Sequence, residues 1–281
     1  MGRMTGSTWE ELARFYSVFP WYDDPWDEAG RQYFELTLGF MEKLVSHPWI
    51  EELQGKGRVR ILEVCGGSGF GGVSLAKRLK EGGTEVELTV TDLREEALER
   101  AARWGKEVLG EEVRTCVLDA REVWRLGEKQ DLVLMYGLST PHFDPWGLVE
   151  LFASVGEVLG EKGIFVLDES DRRYRIFLLM GYKWAMAEGK DEGLCVSFHT
   201  DYSIYRGTCK RAYMRWEEAS RPVYAETFMW GLAEVAAFMW CFFEVVDFLP
   251  LRNERHFLIG RRPRRRIRPG ELERPPKLSQ A

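Results

Sequence analysis

The chain has 281 residues, 45% apolar and 30% charged, with 16 Phe, 11 Trp and 10 Tyr. That composition fills a sizeable core and excludes a disordered, collagen-like or disulfide-scaffold chain. The formal net charge of −6 conceals an asymmetry: residues 261–281 hold eight basic side chains against two acids, and residues 1–260 carry −12. An acidic body argues against a broad nucleic-acid footprint, while the basic tail leaves that possibility at one end.

Cys65, Cys116, Cys195, Cys209 and Cys241 form no C-x-x-C pair. No metal site and no disulfide framework is expected, and a reducing cytosol suits them. The longest apolar run, 235–243, is bracketed by Glu234 and Glu244 and is about half a membrane span. With no charged-then-apolar leader at the N-terminus, a soluble cytoplasmic protein is expected. One Asn and four Gln beside abundant Glu and Arg hint at a thermophilic source.

In chain order, Ser7-x-x-Glu10 forms a capping box that opens a short helix over 7–19, stopped before Pro20. An aromatic and acidic segment follows, Phe19-Pro20-Trp21-Tyr22-Asp23-Asp24-Pro25-Trp26. A second helix carries Tyr33, Leu36, Phe40, Met41 and Leu44 at helical spacing and ends near Pro48. From Arg58 the texture alternates, with strands at 59–64, 86–91, 113–118, 132–136 and 164–167 separated by helices. Such alternation predicts a doubly wound α/β fold around a parallel sheet.

After Asp168 the pattern breaks. Residues 170–193 read as helical, and 195–225 read as an antiparallel hairpin around Arg206-Gly207. An apolar helix at 230–240 and strands at 243–249 and 256–260 follow, and the Pro-containing tail after Pro263 reads as disordered. The expected organisation is an N-terminal helical lid segment (1–55), a core (56–168), an α+β insertion over the substrate pocket (169–225), the closing elements of the core (226–263) and a basic disordered tail (264–281). No internal repeat is present.

The most informative stretch is Glu63-Val64-Cys65-Gly66-Gly67-Ser68-Gly69-Phe70-Gly71-Gly72, at a strand-to-helix turn. Glycines there let a ligand approach the backbone, and the helix N-terminus offers free N–H groups. Gly67, Gly69 and Gly72 also satisfy G-x-G-x-x-G, so a nicotinamide-binding domain competes. Glu63 separates the two readings, because an acid there repels a pyrophosphate and attracts a cationic amino group. Asp92 and Asp119-Ala120 end the next two strands, where carboxylates can accept ribose hydroxyls and an adenine amino group. Each could be a turn cap; three acids at successive strand ends exceed what capping requires.

These residues resemble the class I S-adenosylmethionine-dependent methyltransferases, whose first motif is a strand-end acid followed by G-x-G-x-G. Cys65 stands where the first glycine would. Asp131 to Tyr136 matches the fourth strand, Leu159-Gly-Glu-Lys-Gly163 the turn before the fifth, and residues 230–260 the last helix and closing hairpin. The resemblance implies a seven-stranded, mostly parallel sheet with an antiparallel last strand. It also implies S-adenosylmethionine as cofactor, held by Tyr22, Glu63, Cys65, Gly66, Gly67, Gly69, Asp92, Leu93, Asp119, Ala120 and Tyr136. The segment 15–22 is similar to one in uncharacterised archaeal members.

The fold says little about the acceptor. Tyr22 and its aromatic neighbours could fold over a sulfonium, or Trp21 and Trp26 could simply plug the sheet's rim. The insertion after strand five could cap a small-molecule pocket, or serve as a dimerisation or structural hairpin. Ser139-Thr-Pro-His142-Phe143 follows strand four and lacks the N-P-P-[YF] pattern of amide and exocyclic-amine methyltransferases. His142 is the candidate general base, with a packed loop histidine as the alternative. The expectation is methyl transfer to a small molecule by a monomer or homodimer. An RNA methyltransferase using the basic tail and a catalytically silent cofactor-binding protein are the alternatives.

Overall fold

The computed structural model describes residues 9–19, 21–188, 194–216 and 221–272. Ser7 of the expected capping box and residues 273–281 of the tail lie outside the described residues.

Glu28 opens a helix because Asp27 accepts from Gly30 N–H, and α2 (Glu28–Val45) then buries Tyr33, Phe40, Met41 and Leu44 on one face. After α1 (Trp9–Val18), α2 and α3 (Pro48–Gln54) come β1 (Arg58–Glu63), α4 (Phe70–Glu81), β2 (Glu85–Asp92) and α5 (Glu95–Leu109). β3 (Arg114–Val117), β4 (Gln130–Met135), α6 (Pro145–Val158) and β5 (Leu159–Ser170) complete the alternating part. The chain then forms β6 (Ala185–Glu188), β7 (Cys195–Ser203), β8 (Thr208–Arg215) and β9 (Val223–Phe228). It returns through α7 (Leu232–Phe242), β10 (Phe243–Arg252) and β11 (Arg255–Pro263).

The main sheet has seven strands in the order β10-β11-β5-β4-β1-β2-β3. β1 lies parallel to β2 and β4, and β4 parallel to β5, whereas β11 runs antiparallel to both β5 and β10. This is the expected sheet with its antiparallel last strand. Alternate strand residues feed two cores: Ile61, Leu132, Leu134 and Val166 face α2–α5, while Leu62, Val133, Met135 and Phe165 face α6 and α7. Burial on both faces is why these strands read as continuous apolar runs.

The insertion is a four-stranded antiparallel sheet, β6-β7-β8-β9. α1 lies across it, with Phe15 and Val18 packed on Cys195 and Tyr213. Two expectations are corrected here. Among the described residues of 170–193, helix is confined to 172–179, with Tyr174–Leu179 a π-helical stretch, and Ala185–Glu188 is a strand. Tyr174, Phe177, Leu178 and Leu179 are all exposed, so no buried face extends that helix, and Gly181 at φ +65° turns the chain. Residues 264–272 are also packed on the body. Arg264 N–H donates to Phe242 O at 2.8 Å, Arg265 Nη2 donates to Leu159 O at 2.6 Å, and Leu272 packs against the α6–α7 core. Among the described residues, no helix is long and apolar enough to cross a membrane.

Candidate functional site

A cleft of about 900 Å³ opens at the carboxyl ends of β1, β2 and β4. Tyr22, Glu63, Cys65, Gly66, Gly67, Asp92, Leu93, Asp119, Ala120, Tyr136 and His142 all line it. Gly69 stands just behind, in the left-handed region at φ +77°, as the N-cap of α4. The strand-end residues thus converge on one place, as the parallel sheet requires.

Glu63 is fully buried, and neither carboxylate oxygen has a hydrogen-bond partner among the described residues. It lies against Gly71 and Gly72: a Cβ on Gly71 would stand 2.5 Å from Glu63 Oε1 and 2.6 Å from Tyr136 Cβ. Burial pushes its pKa up to about 8, with Asp92 adding to the rise and the N–H groups of Gly72 and Gly71 opposing it. Those N–H groups contribute at longer range without hydrogen-bond geometry. An unpartnered carboxylate in a cleft is a site for a cation.

Asp92 and Asp119 share a local design. In Asp92-Leu93-Arg94, Asp92 Oδ1 accepts from Arg94 N at 2.9 Å and from Arg94 Nε at 3.3 Å. In Asp119-Ala120-Arg121, Asp119 Oδ1 accepts from Arg121 N at 2.9 Å, and Arg121 Nη2 reaches Oδ2 at 2.5 Å. Asp92 Oδ2 also accepts from Gly67 N at 2.8 Å and so fixes the glycine-rich turn. Both acids therefore act as turn caps and also line the cleft. The repeated Asp-x-Arg could have revealed both arginines in the sequence.

Cys65 takes φ +53°, the left-handed conformation that glycine adopts without strain. Its thiol is pushed well up by burial, with Asp92 and Asp119 adding to the effect, so it stays protonated.

The aromatic segment splits. Tyr22 stacks on Tyr33 with ring centroids 4.8 Å apart, and Trp21 lines the same cleft. Trp26 instead covers α5, with Nε1 donating to Glu107 at 2.9 Å and Arg103 over its ring at 4.3 Å. Asp23, which the spacing did not single out, is an anchor: it accepts from Arg94 at 3.1 Å and Arg100 at 2.6 Å. Arg94 in turn lies 4.3 Å from the centre of the Tyr16 ring.

His142 ends a 3-10 turn, Thr140–His142, and its Nε2 shares a hydrogen bond with Tyr16 Oη at 3.0 Å. Burial, with Arg172 and Arg94 adding, lowers its pKa to about 4, so the imidazole is neutral. Burial raises the Tyr16 hydroxyl well above its ordinary range. Asp168, fully buried, accepts from Gly137 N at 2.8 Å, from Leu138 N at 3.1 Å and from Arg255 Nε at 2.8 Å, fixing the loop after β4. Its position at the end of β5 repeats the strand-end pattern and was available as a signal.

A second cavity of about 850 Å³ lies between α1, the loop after β4 and the insertion sheet. Tyr16, Trp21, Gly137 and His142 line both cavities and form their common wall. Arg172, Tyr182, Glu188, Arg211 and Thr227 face only the second one. Among the described residues, no group of three or more His, Cys, Asp or Glu could hold a metal ion.

Residues 61–163 match the family model described as "Methyltransferase domain". Among solved structures, the chain is similar to the PH0226 protein of Pyrococcus horikoshii. The two share 21% identity over 89% of this chain and 99% of that one, with a TM-score of 0.60. The CcbJ methyltransferase of Streptomyces caelestis is 12% identical over 91% and 98% of the two chains, with a TM-score of 0.59. The sugar N-methyltransferase KedS8 of a Streptoalloteichus species is 15% identical over 93% and 95%, with a TM-score of 0.54. At these identities the likeness establishes the fold. A search of curated proteins finds no significant match.

Proposed function

We propose that this chain is a class I S-adenosylmethionine-dependent methyltransferase, as its domain match and fold support, and that it methylates a small molecule held beneath the insertion sheet. The observation that carries the reading is the pair of cavities meeting at Tyr16, Trp21, Gly137 and His142, one lined by the strand ends and the other roofed by β6–β9.

The residues of the first cleft fit S-adenosylmethionine. Glu63 offers an unpartnered carboxyl group that a cationic amino group would ionise, and Asp92, with three acceptor sites taken, keeps one on Oδ2 for a ribose hydroxyl. Leu93 and Asp119-Ala120 flank the place for adenine, Gly66 and Gly67 allow close approach, and the rings of Trp21, Tyr22 and Tyr136 line the cleft. When bound, the cofactor supplies an electrophilic methyl group on a sulfonium, open to in-line displacement by an oxygen or nitrogen.

The chain's own contribution is alignment and proton handling. The buried frame of Asp168, Gly137 and Leu138 fixes the wall between the cavities, so an acceptor in the second is held facing the first. His142 is kept neutral and can accept a proton, either directly or through Tyr16, whose hydroxyl passes its proton to Nε2 as it takes one from the acceptor.

The RNA alternative loses support from the basic end of the chain. Arg261 pairs with Glu52 and Arg262 with Glu244, while Arg264 and Arg265 donate to backbone carbonyls. Three of the eight basic side chains are thereby held in close contacts within the chain, while Arg262 stays half-exposed. A silent cofactor-binding protein rests on Cys65 alone.

Calorimetry should register S-adenosylmethionine and its demethylated product and no NAD. Labelled methyl groups should pass into a small-molecule extract rather than RNA. NAD binding without S-adenosylmethionine binding overturns the cofactor reading, label in RNA moves the acceptor to the alternative, and binding without any transfer supports the silent protein.

A further inference from the structure

Resting on the reading that the second cavity holds the methyl acceptor, we propose that this acceptor carries an anionic group, a carboxylate or a phosphate, seated against Arg211 and Arg172.

Arg211 lies on β8 and is only 2% exposed. Its Nε donates to Ser197 Oγ at 3.0 Å and its Nη2 to Ser197 O at 3.0 Å, while Nη1 donates to Tyr182 Oη at 3.1 Å and Lys183 O at 3.2 Å. All four acceptors are neutral oxygens. A guanidinium has five N–H donors, so one remains after these bonds. Among the described residues no carboxylate forms an ion pair with Arg211. A buried charge balanced only by dipoles is costly, and a ligand anion would relieve it.

Arg172 follows β5 in the same wall. Its Nη2 donates to Leu138 O at 3.0 Å, and its Nε stands 3.4 Å from Glu169 Oε1 with no hydrogen bond formed. Glu169 has other duties: it accepts from Thr140 Oγ1 and from Ser170 N, and burial lifts its pKa to about 7. The carboxylate that lines the cavity is Glu188, whose Oε1 accepts from Ser197 Oγ at 2.7 Å and so reaches Arg211 only through that serine. Two guanidiniums thus face one lining carboxylate, and neither arginine lines the cofactor cleft.

The remaining wall is apolar and aromatic, including Phe15, Phe19, Ile176, Met186 and Tyr213. Thr227 adds a buried hydroxyl with no partner among the described residues. The occupant that fits is a flat or apolar body with an anion toward the arginines and its methyl-accepting atom toward Tyr16 and His142.

The test is calorimetry on the full chain saturated with S-adenosylhomocysteine, titrated with benzoate, phenyl phosphate, benzyl alcohol and benzylamine. An anion should bind at least about 10-fold more tightly than the neutral and cationic probes. Benzoate as the tighter anion assigns a carboxylate, and phenyl phosphate a phosphate. Arg211→Met and Arg172→Gln should each weaken the anion by roughly 10- to 100-fold, the value of a charge-assisted hydrogen bond, and leave S-adenosylhomocysteine affinity unchanged. Arg211→Lys should keep the preference. Arg172, a partly exposed side chain, carries the test should Arg211→Met fail to fold. Preference for the alcohol or the amine, no binding of either anion, or variants with unchanged anion affinity overturns the proposal. Failure of S-adenosylhomocysteine to bind overturns instead the reading beneath it.

Discussion

At Glu63 a single side chain links folding stability to the proposed cofactor contact. Its carboxyl is neutral in the fold up to about pH 8, against an ordinary value of 4.5. A raised folded-state pKa means that the folded chain holds a proton the unfolded chain has lost. The stabilisation is complete below 4.5 and disappears as pH rises through 8. Glu63→Gln is neutral throughout, so melts should show it gaining on the native protein between pH 5 and 8 by roughly 3 kcal/mol. The same variant should bind S-adenosylmethionine about 10- to 100-fold more weakly. Equal stability at both pH values would remove the assigned charge state. His142 has the opposite sign: its pKa is depressed from 6.5 to about 4, so its stabilising contribution is present above 6.5 and lost as pH falls through 4. If it accepts the proton, the acidic limb of kcat/KM lies near 4, and His142→Gln lowers turnover ~100-fold and abolishes that limb. Near-full turnover with an unchanged profile ends the base assignment and leaves alignment alone. At this scale the identities of Glu63, Asp92 and Asp119 were legible because each ends a strand. The charge state of Glu63 depends on burial, which no local spacing encodes.

Among the elements, the strands and helices of 56–168 were legible because apolar runs, glycine turns and Asp caps are local signals. The stretch 170–193 was not. Its apolar residues mimic a helix, but with Leu178 at 76% exposure the face has nothing to pack against, and pairing with β7 claims residues 185–188 instead. The basic end was misjudged for a related reason: Arg and Pro read as solvated, yet Arg264 and Arg265 cap the carbonyls of Phe243 and Leu159. Relative to a chain ending at Leu272, deletion from residue 264 onward should therefore cost roughly 2–4 kcal/mol, from two or three hydrogen bonds and the burial of Leu272. Denaturant unfolding of the two truncations measures it, and identical midpoints would show that these contacts carry nothing.

For the whole molecule, charge is organised as surface networks at the amino edge of the sheet. Arg58 pairs with Glu85 and Glu87, Arg60 with Glu87 at 2.8 Å, and Lys56 with Asp131 at 2.6 Å. Networks of this kind gain value with temperature, because the desolvation penalty of ions falls on heating. With the scarcity of Asn and Gln, they lead to an expected melting temperature above about 65 °C, beyond the usual mesophile range, and a value lowered by added salt. A scan with a midpoint inside the mesophile range removes the thermophile reading.

Sequence alone determined the alternating strands and helices, the glycine turn and the ring of strand-end acids, because periodicity, turn chemistry and strand ends are written over a few adjacent residues; the seven-stranded sheet followed from the family resemblance. Only the tertiary structure decided the second cavity and the groups that furnish it. Tyr16, Arg172 and Arg211 are dozens of residues from one another and from His142, which the sequence singled out; packing of α1 on the insertion sheet brings them around one cavity. Packing of α4 on β1 removes water from Glu63, and α1 removes it from His142; desolvation, which no local pattern encodes, sets their protons.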